Sequence, residues 1–428
     1  MIQTIKKAWG IPELRKKIIF TIIILLIFRL GNAIPVPYVN TELLQNYLNG
    51  MSTTVLGLYN VMSGGAFAQA TVFALGVQPY INSSIIIQLL TIAIPALERL
   101  ARDGGEAGKK KIASITRYAT VAIALLQGLG YYYLMKNYSI LEQQGFWPAV
   151  VIIISFVAGS AFVMWLGEQV NEFGVGNGIS IILFAGILSR VPTIISQGSN
   201  YVAQHGSIAW LHMALLVIGI LLMVVLIVHV NAAERRIPVQ YAKRQVGRKM
   251  YGGQASTLPM KVNMSGVLPI IFAQSIAMLP ATIAAFLPTP AEGSFGAGVL
   301  KAIDTKSVLS LVVYFLMIIG FSYFYATIQF NPIEISNNLK RQGGFIPGFR
   351  PGKPTSDFIA KVLGKVTLFG AIYLGFVAIA PLVVGKALGN NALAIGGTSV
   401  IIVVGVALET VQALESQMLM RQYKGFLE

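Results

Sequence analysis

The sequence predicts an all-α polytopic membrane protein with ten transmembrane helices. Three observations predict it. Of the 428 residues 55% are hydrophobic, only 11% are charged, and the apolar residues gather into runs of about 20. A soluble domain could not hide so much apolar surface, whereas a bilayer tolerates it. The mean hydropathy of +0.70 agrees. A helix rises about 1.5 Å per residue and must cross a core of about 30 Å. Segments of that length lie near 18–36, 76–96, 113–135, 148–167, 179–196, 208–230, 266–287, 308–329, 362–383 and 396–415. Gly and Ser dilute the fifth at both ends. The basic, then apolar, N-terminus has the look of a signal peptide. Its apolar run meets Arg29, Pro35 and Pro37 without a small-x-small cleavage site, and more spans follow, so the first helix is expected to be retained.

Charge placement orients the spans. The net charge is +16, from 32 Lys and Arg against 16 Asp and Glu. Lys6, Lys7, Arg15, Lys16 and Lys17 precede the first span and place the N-terminus in the cytoplasm. No base occurs between Arg29 and Arg99, which puts 37–75 outside. Arg99, Arg102, Lys109, Lys110, Lys111 and Arg117 bring the chain back. The segments 231–265 and 330–361 are basic and cytoplasmic, and the external loops hold only Lys136, Arg190, Lys301, Lys306 and Lys386. The segment 168–178 lacks a base and carries Glu168 and Glu172, but acidic residues count little in this rule. Ten spans leave both termini cytoplasmic. They divide into halves of five, 1–200 and 201–428, which must have opposite topologies, as in inverted repeats.

Several features exceed plain membrane anchoring. The segment 53–75 is moderately apolar, is interrupted by Gly, Asn and Gln, and contains Ser63-Gly64-Gly65. It reads as an external re-entrant or interfacial segment. A sharper reading is a small helix that enters a cavity and can leave it, since irregular backbone at membrane depth needs protein or water around it. The segments 234–261 and 330–357 are too long for connectors. Anionic lipid explains their bases. It does not explain Tyr241, Tyr251, Phe345 and Phe349 among turn residues, which suggest a docking surface.

The spans carry few ionisable groups at mid-membrane, which argues against an ion-coupled transporter. Gln88, Gln127 and Gln274 read first as interhelical hydrogen-bond partners. Cysteine is absent, and no nucleotide-binding, hydrolytic or metal motif occurs. Neither a catalytic residue, a metal nor a cofactor is expected. Polypeptide channel, secondary solute transporter and membrane scaffold remain the competing classes.

Several long segments then resemble one family. SGGAFAQATVFALGVQPYINSSIIIQLL at 63–90, GVGNGISIILFAGI at 174–187 and ERRIPVQYAKRQ at 234–245 are similar to the SecY family. So are KVNMSGVLPIIFAQSI at 261–276, FIPGFRPGKPT at 345–355 and GGTSVIIVV at 396–404. This is the pore subunit of the bacterial Sec translocon, and the likeness spans essentially the whole chain. It implies two inverted five-helix halves forming a clamshell around an hourglass pore in a bacterial plasma membrane.

The resemblance also implies roles. Ile81, Ile85, Ile179, Leu183, Ile271 and Ile402 would form an aliphatic pore ring. Residues 57–71 would form a plug containing Ser63, Gly64, Gly65 and Phe67. A lateral gate between spans two and three and spans seven and eight would carry Gln88, Gln127, Gln274 and Ser275. Arg235, Arg236, Lys243, Arg244, Arg248, Lys249 and Arg350 would dock a ribosome or the SecA motor ATPase. The implied partners are SecE, SecG, SecA, the ribosome, signal sequences with unfolded preproteins, and anionic phospholipids.

Overall fold

The structure is a computed structural model that describes residues 2–50, 55–102, 104–241, 244–246, 249–251, 255–264, 266–286, 308–387 and 391–424. Each of the ten expected segments overlaps a helix, and the fifth, 179–196, is split between two. In chain order the helices are α1 (Ile2–Trp9), α2 (Pro12–Gly31), α3 (Thr41–Gly50), α4 (Val55–Met62), α5 (Gln78–Ala93), α6 (Pro95–Arg102), α7 (Gly105–Asn137) and α8 (Phe146–Phe173). They continue as α9 (Gly178–Leu188), α10 (Val191–Ala232), α11 (Leu268–Phe286), α12 (Val308–Gln329), α13 (Pro332–Arg341), α14 (Lys353–Ala387) and α15 (Asn391–Lys424).

Among the described residues, six helices are long and apolar enough to cross a membrane, or seven if a bent pair counts as one span. That pair is α5 and α6, which turn by 105° at Ile94. Pro95 forces the break, because it biases the preceding residue out of the α region, and Ile94 is extended at φ −108°. Three expected spans fall outside the six and the bent pair. Helix α2 carries Glu13, Arg15, Lys16, Lys17 and Arg29. Helix α9 has only 11 residues. The apolar stretch of α11 runs over Leu268–Ala277. The sixth span is the far part of a longer helix, α10, of 42 residues.

The all-α expectation overlooks two small sheets. Strands β1 (Glu234–Tyr241), β2 (Arg244–Val246), β3 (Lys249–Tyr251), β4 (Ala255–Lys261) and β5 (Gly344–Phe345) occupy the segments read as basic loops. Strand β1 pairs antiparallel with β4 from Glu234↔Lys261 to Gln240↔Ala255, and β2 pairs with β3. β5 joins the other edge of β1 through Gln240↔Phe345 and Tyr241↔Gly344. The two basic segments are therefore one module. Ile237 and Val239 alternate inward from β1 and pack with Met260, Leu339, Ile346, Ile359 and Leu363. Helix α13 begins on a cap: Asn331 Oδ1 accepts from Ile333 N at 3.1 Å. Pro332 follows at the first helical position, where its missing N–H costs nothing.

Three buried apolar clusters make up the membrane-embedded core among the described residues. One of them joins α10, α11, α12, α14 and α15 through Ile227, Ile270, Ile318, Leu374 and Ile401, and the other two position the site. One packs α3, α4 and the 63–76 turns against α7 and α8, through Leu44, Tyr59, Phe67, Tyr131 and Phe156. The other joins α2, α5, α8, α9, α11 and α15. Helix α10 presents Leu211, Leu215, Leu222 and Val225 outward, as a lipid-facing helix must.

Candidate pore and plug

Ile81 and Ile85 project from α5, Ile179 and Leu183 from α9, Ile271 from α11 and Ile402 from α15. Each i, i+4 pair shares one helix face. All six side chains are at most 8% exposed, and all six lie in a single apolar cluster. Helix α9 presents its pair because its start is fixed from two sides. Asn177 Oδ1 caps it by accepting from Ser180 N at 3.2 Å, and Asn171 Oδ1 accepts from Gly178 N at 2.7 Å.

The described part of the 53–75 segment, residues 55–75, lies inside the bundle, contrary to the interfacial reading. After α4 the chain runs through turns to Gly76. Met62 ends α4 in the same apolar cluster as the six aliphatic residues. Its Sδ accepts from Gln78 Nε2 at 2.9 Å and from Gln274 Nε2 at 3.8 Å. Ser63 is buried; its Oγ accepts from Phe67 N at 3.0 Å and donates to Asn60 O at 3.2 Å. Asn32 Nδ2 donates to Ser63 O at 3.4 Å.

Gly64 and Gly65 turn the chain at φ +71° and +92°. Gly64 also lies against α9: a Cβ there would meet Gly186 O at 2.9 Å. Only glycine meets both demands without strain. Ser189 Oγ, just past the end of α9, donates to Gly186 O at 2.7 Å and lies 3.4 Å from Gly64 O.

Phe67 stacks on Tyr131 at 4.2 Å between centroids, and the Tyr131 hydroxyl donates to Phe67 O. Further on, Val36 N donates to Ala70 O at 2.9 Å and Val72 N to Ile34 O at 3.0 Å, an isolated antiparallel bridge. The small helix and the turns after it are thus held from α5, α7 and α11 and from the ends of α2 and α9.

The polar residues expected at the gate share one property. Gln88 Oε1, Gln127 Oε1, Gln274 Oε1 and Ser275 Oγ are all buried and, among the described residues, all lack a hydrogen-bond partner. Helix α11 touches both α5 and α7, so Gln127, Gln274 and Ser275 lie on mutually adjacent helices. Gln127 Nε2 reaches Tyr59 OH on α4 at 3.3 Å. Gln88 Nε2 instead bonds within α5, to Ser84 Oγ at 3.4 Å. Residues that sequence reasoning missed are Asn32, Tyr59, Met62, Gln78 and Tyr131. Polar type within a span was the only signal for Asn32, Gln78 and Tyr131, while Tyr59 and Met62 were covered only by the bounds of the 57–71 segment.

The docking residues divide. Arg235 and Arg236 are exposed on β1, and Arg236 pairs with Glu234 at 2.6 Å. Arg350 is exposed in the turn after β5. Thr355 Oγ1 donates to its carbonyl at 2.8 Å, and Phe349 is anchored on Phe358 at 4.1 Å. The backbone of Arg244 and Lys249 lies in β2 and β3. Lys243 and Arg248 lie outside the described residues.

Comparison with known proteins converges. The SecY family model matches residues 71–411. The protein translocase subunit SecY of Streptomyces coelicolor is 42% identical over 443 residues, covering 100% of both chains. That of Staphylococcus aureus is 40% identical over 434 residues, covering 100% of this chain and 99% of its own. Among solved structures, a protein-conducting channel matches with a TM-score of 0.65 at 17% identity, over 94% of this chain and 92% of its own. A SecY protein whose plug domain stabilises the closed state of the translocation channel matches with a TM-score of 0.66 at 18% identity, with the same coverage. Canine Sec61, from a ribosome–channel complex, matches with a TM-score of 0.62 at 16% identity, over 94% of this chain and 92% of its own. The fold is the ten-helix fold of these channels, and the chain belongs to the SecY family.

Proposed function

We propose that this chain is the pore of a bacterial protein translocase, passing unfolded, signal-bearing polypeptides through the aliphatic ring. One observation carries the reading: six aliphatic side chains from four helices meet in one buried cluster that also receives Met62 at the end of a small re-entrant helix. An aliphatic ring can close around a varied chain without offering it fixed hydrogen bonds. When empty it resists water and ions, since hydrophobic constrictions dewet. Helix α4 and the turns to Thr71 are the plug, a second seal above the ring.

The halves 1–200 and 201–428 hinge as a clamshell. The seam formed by α5 and α7 against α11 and α12 is the lateral gate. An apolar signal sequence opens it by binding the open state better, as differential affinity requires. Membrane segments leave sideways through it. The sheet-bearing end faces the cytoplasm, as the Lys and Arg placement argues, with both termini on that side of the plasma membrane. There Arg235, Arg236, Lys243, Arg244, Arg248, Lys249 and Arg350 form the docking face for the ribosome or the SecA motor, while SecE, SecG and anionic phospholipids flank the bundle. The chain is not an enzyme, and the partner supplies the energy.

The test is transport of a signal-bearing unfolded protein into vesicles that hold this chain, with a motor ATPase and ATP. Protease-protected substrate is the expected result. Solute uptake without polypeptide transport would overturn the reading in favour of a secondary transporter.

A further inference from the structure

Helix α8 carries none of the six proposed ring residues, yet it lies directly against one of them. Gly167 is buried on α8 and faces the first turn of α9. A Cβ on Gly167 would overlap Ile179 Cδ1 and come within 3.3 Å of Ile179 Cγ1. The end of the Ile179 side chain thus occupies the place where any other residue at 167 would put its own. Gly159, on the same helix, answers a different demand: a Cβ there would overlap the Val72 carbonyl, which is backbone. The atoms over Gly167 are instead the movable end of a side chain, and that side chain lies in the cluster of the proposed ring.

The backbone beneath Ile179 cannot make room. A Cβ on Gly178 would overlap Gly167 O and lie 2.8 Å from Val170 Cβ, so α8 and α9 already meet main chain to main chain. Asn171 Oδ1, also on α8, accepts from Gly178 N at 2.7 Å. In the preceding turn, Thr21 Oγ1 of α2 accepts from Val175 N at 3.2 Å. Around Gly167, Val163, Leu166 and Val170 of α8 are fully buried in the same cluster as the ring. A methyl added at 167 therefore moves the Ile179 side chain rather than either helix. Isoleucine is stiff at χ1 in a helix, so the change falls on χ2 and swings Cδ1 away from α8. In a close-packed interior that displacement is passed on, here towards the other five ring side chains.

We propose that Gly167 is a positioning residue that sets the bore of the ring, by seating the Cδ1 methyl of Ile179 on α8 and so keeping it out of the path of the passing chain. Substrates are then discriminated by girth, through a residue that never touches them. The inference rests on the polypeptide-conducting reading above.

The test compares two versions of one signal-bearing substrate: a linear chain, and the same chain closed into a small loop by a disulfide. Gly167→Ala is expected to slow the looped version about twofold to tenfold more than the linear one, the scale of one side chain forced off its rotamer. Ion leak at rest is expected to be no higher than in the unaltered chain. Equal slowing of both versions, no slowing, or a raised leak overturns the proposal, because the added methyl would then be spreading helices instead of narrowing the ring.

Ile179→Val supplies the readout that general packing would not move. It deletes Cδ1, the atom nearest the added methyl. The double variant Gly167→Ala/Ile179→Val is expected to handle both substrates as Ile179→Val alone does. Additive, independent effects of the two changes overturn the assignment. Should Gly167→Ala fail to accumulate, the double variant is expected to accumulate, and its failure to do so overturns the proposal equally. If the unaltered chain transports neither version, the conduction reading fails and takes this inference with it. Transport of both versions by the unaltered chain, with no discrimination gained in Gly167→Ala, fails the inference alone.

Discussion

Met62 Sδ accepts the side-chain amide of Gln78 at 2.9 Å, so the last residue of the small helix α4 is tied to the first turn of α5. Gln274 Nε2 approaches the same sulfur from α11 at 3.8 Å. The re-entrant helix is thus fastened to helices on both sides of the proposed gate by one thioether. Met62→Ala removes a side chain only 5% exposed together with the acceptor of two amides. A core Met→Ala change costs about 2–5 kcal/mol. The plug is expected to seat poorly, and single-channel recording should find a raised ion leak. Met62→Leu keeps the volume and loses the acceptor, and should leak less than Met62→Ala.

The two glycines of the proposed plug are expected to differ. Gly64→Ala combines φ +71° with a contact on Gly186 O at 2.9 Å, whereas Gly65→Ala meets φ +92° alone, with no atom within 4 Å of its Cβ. Left-handed backbone costs a non-glycine residue about 1–2 kcal/mol. Gly64→Ala should therefore displace the plug more than Gly65→Ala, read as faster cysteine labelling of a probe placed at Phe67.

Replacing Ile81, Ile271 or Ile402 with Asn puts an amide into an apolar cluster, at a cost of about 1–3 kcal/mol when unpaired. The closed ring is expected to loosen. Reconstituted vesicles should show greater ion leak and export substrates with weaker signal sequences. Unchanged leak together with unchanged selectivity would count against the ring.

The orphaned oxygen of Gln127 predicts the opposite sign. In this conformation Gln127 Oε1 is buried without a partner among the described residues, a penalty of about 1–3 kcal/mol that opening to water or to a signal would relieve. Gln127→Leu removes the penalty at the cost of one long bond to Tyr59 OH at 3.3 Å, worth about 1 kcal/mol, and on balance should stabilise the closed form. Transport of substrates with weakly apolar signals should slow more than transport of strong ones.

Arg350 is exposed, and its turn is held by the Thr355 hydroxyl on its own carbonyl at 2.8 Å. Arg350→Glu should therefore leave helical content and thermal stability unchanged while blocking motor-driven transport. Normal transport by that variant would remove the docking role.

Much of the fold is legible in the sequence because the bilayer imposes one strong rule: long apolar runs must be helical. Hence each expected segment overlaps a helix, and the break at Pro95 follows local proline chemistry. The sheet was illegible because its register is set by distant pairing. Phe345 completes a strand pair with Gln240, more than a hundred residues away, and nothing in either segment announces the other. Of the six aliphatics of the proposed ring, Ile81 and Ile85 and Ile179 and Leu183 were legible only as helix-face pairs, which are common in spans; the resemblance alone singled out all six. The glycines of the 53–75 segment did signal irregular backbone. Its burial did not show, because it depends on Asn32, Tyr59, Gln78 and Tyr131 arriving from other helices.

The absence of cysteine allows the most direct test of the central claim, that a polypeptide passes through the ring. A single cysteine is placed at Ile402, and for comparison at Leu222, which is 65% exposed on α10. A substrate carrying one cysteine is stalled halfway across the membrane, and disulfide formation is measured. The account predicts a disulfide with Ile402→Cys that depends on the stalled chain, and none with Leu222→Cys. Stalled substrate that never bonds to Ile402→Cys, while transport itself proceeds, would contradict it.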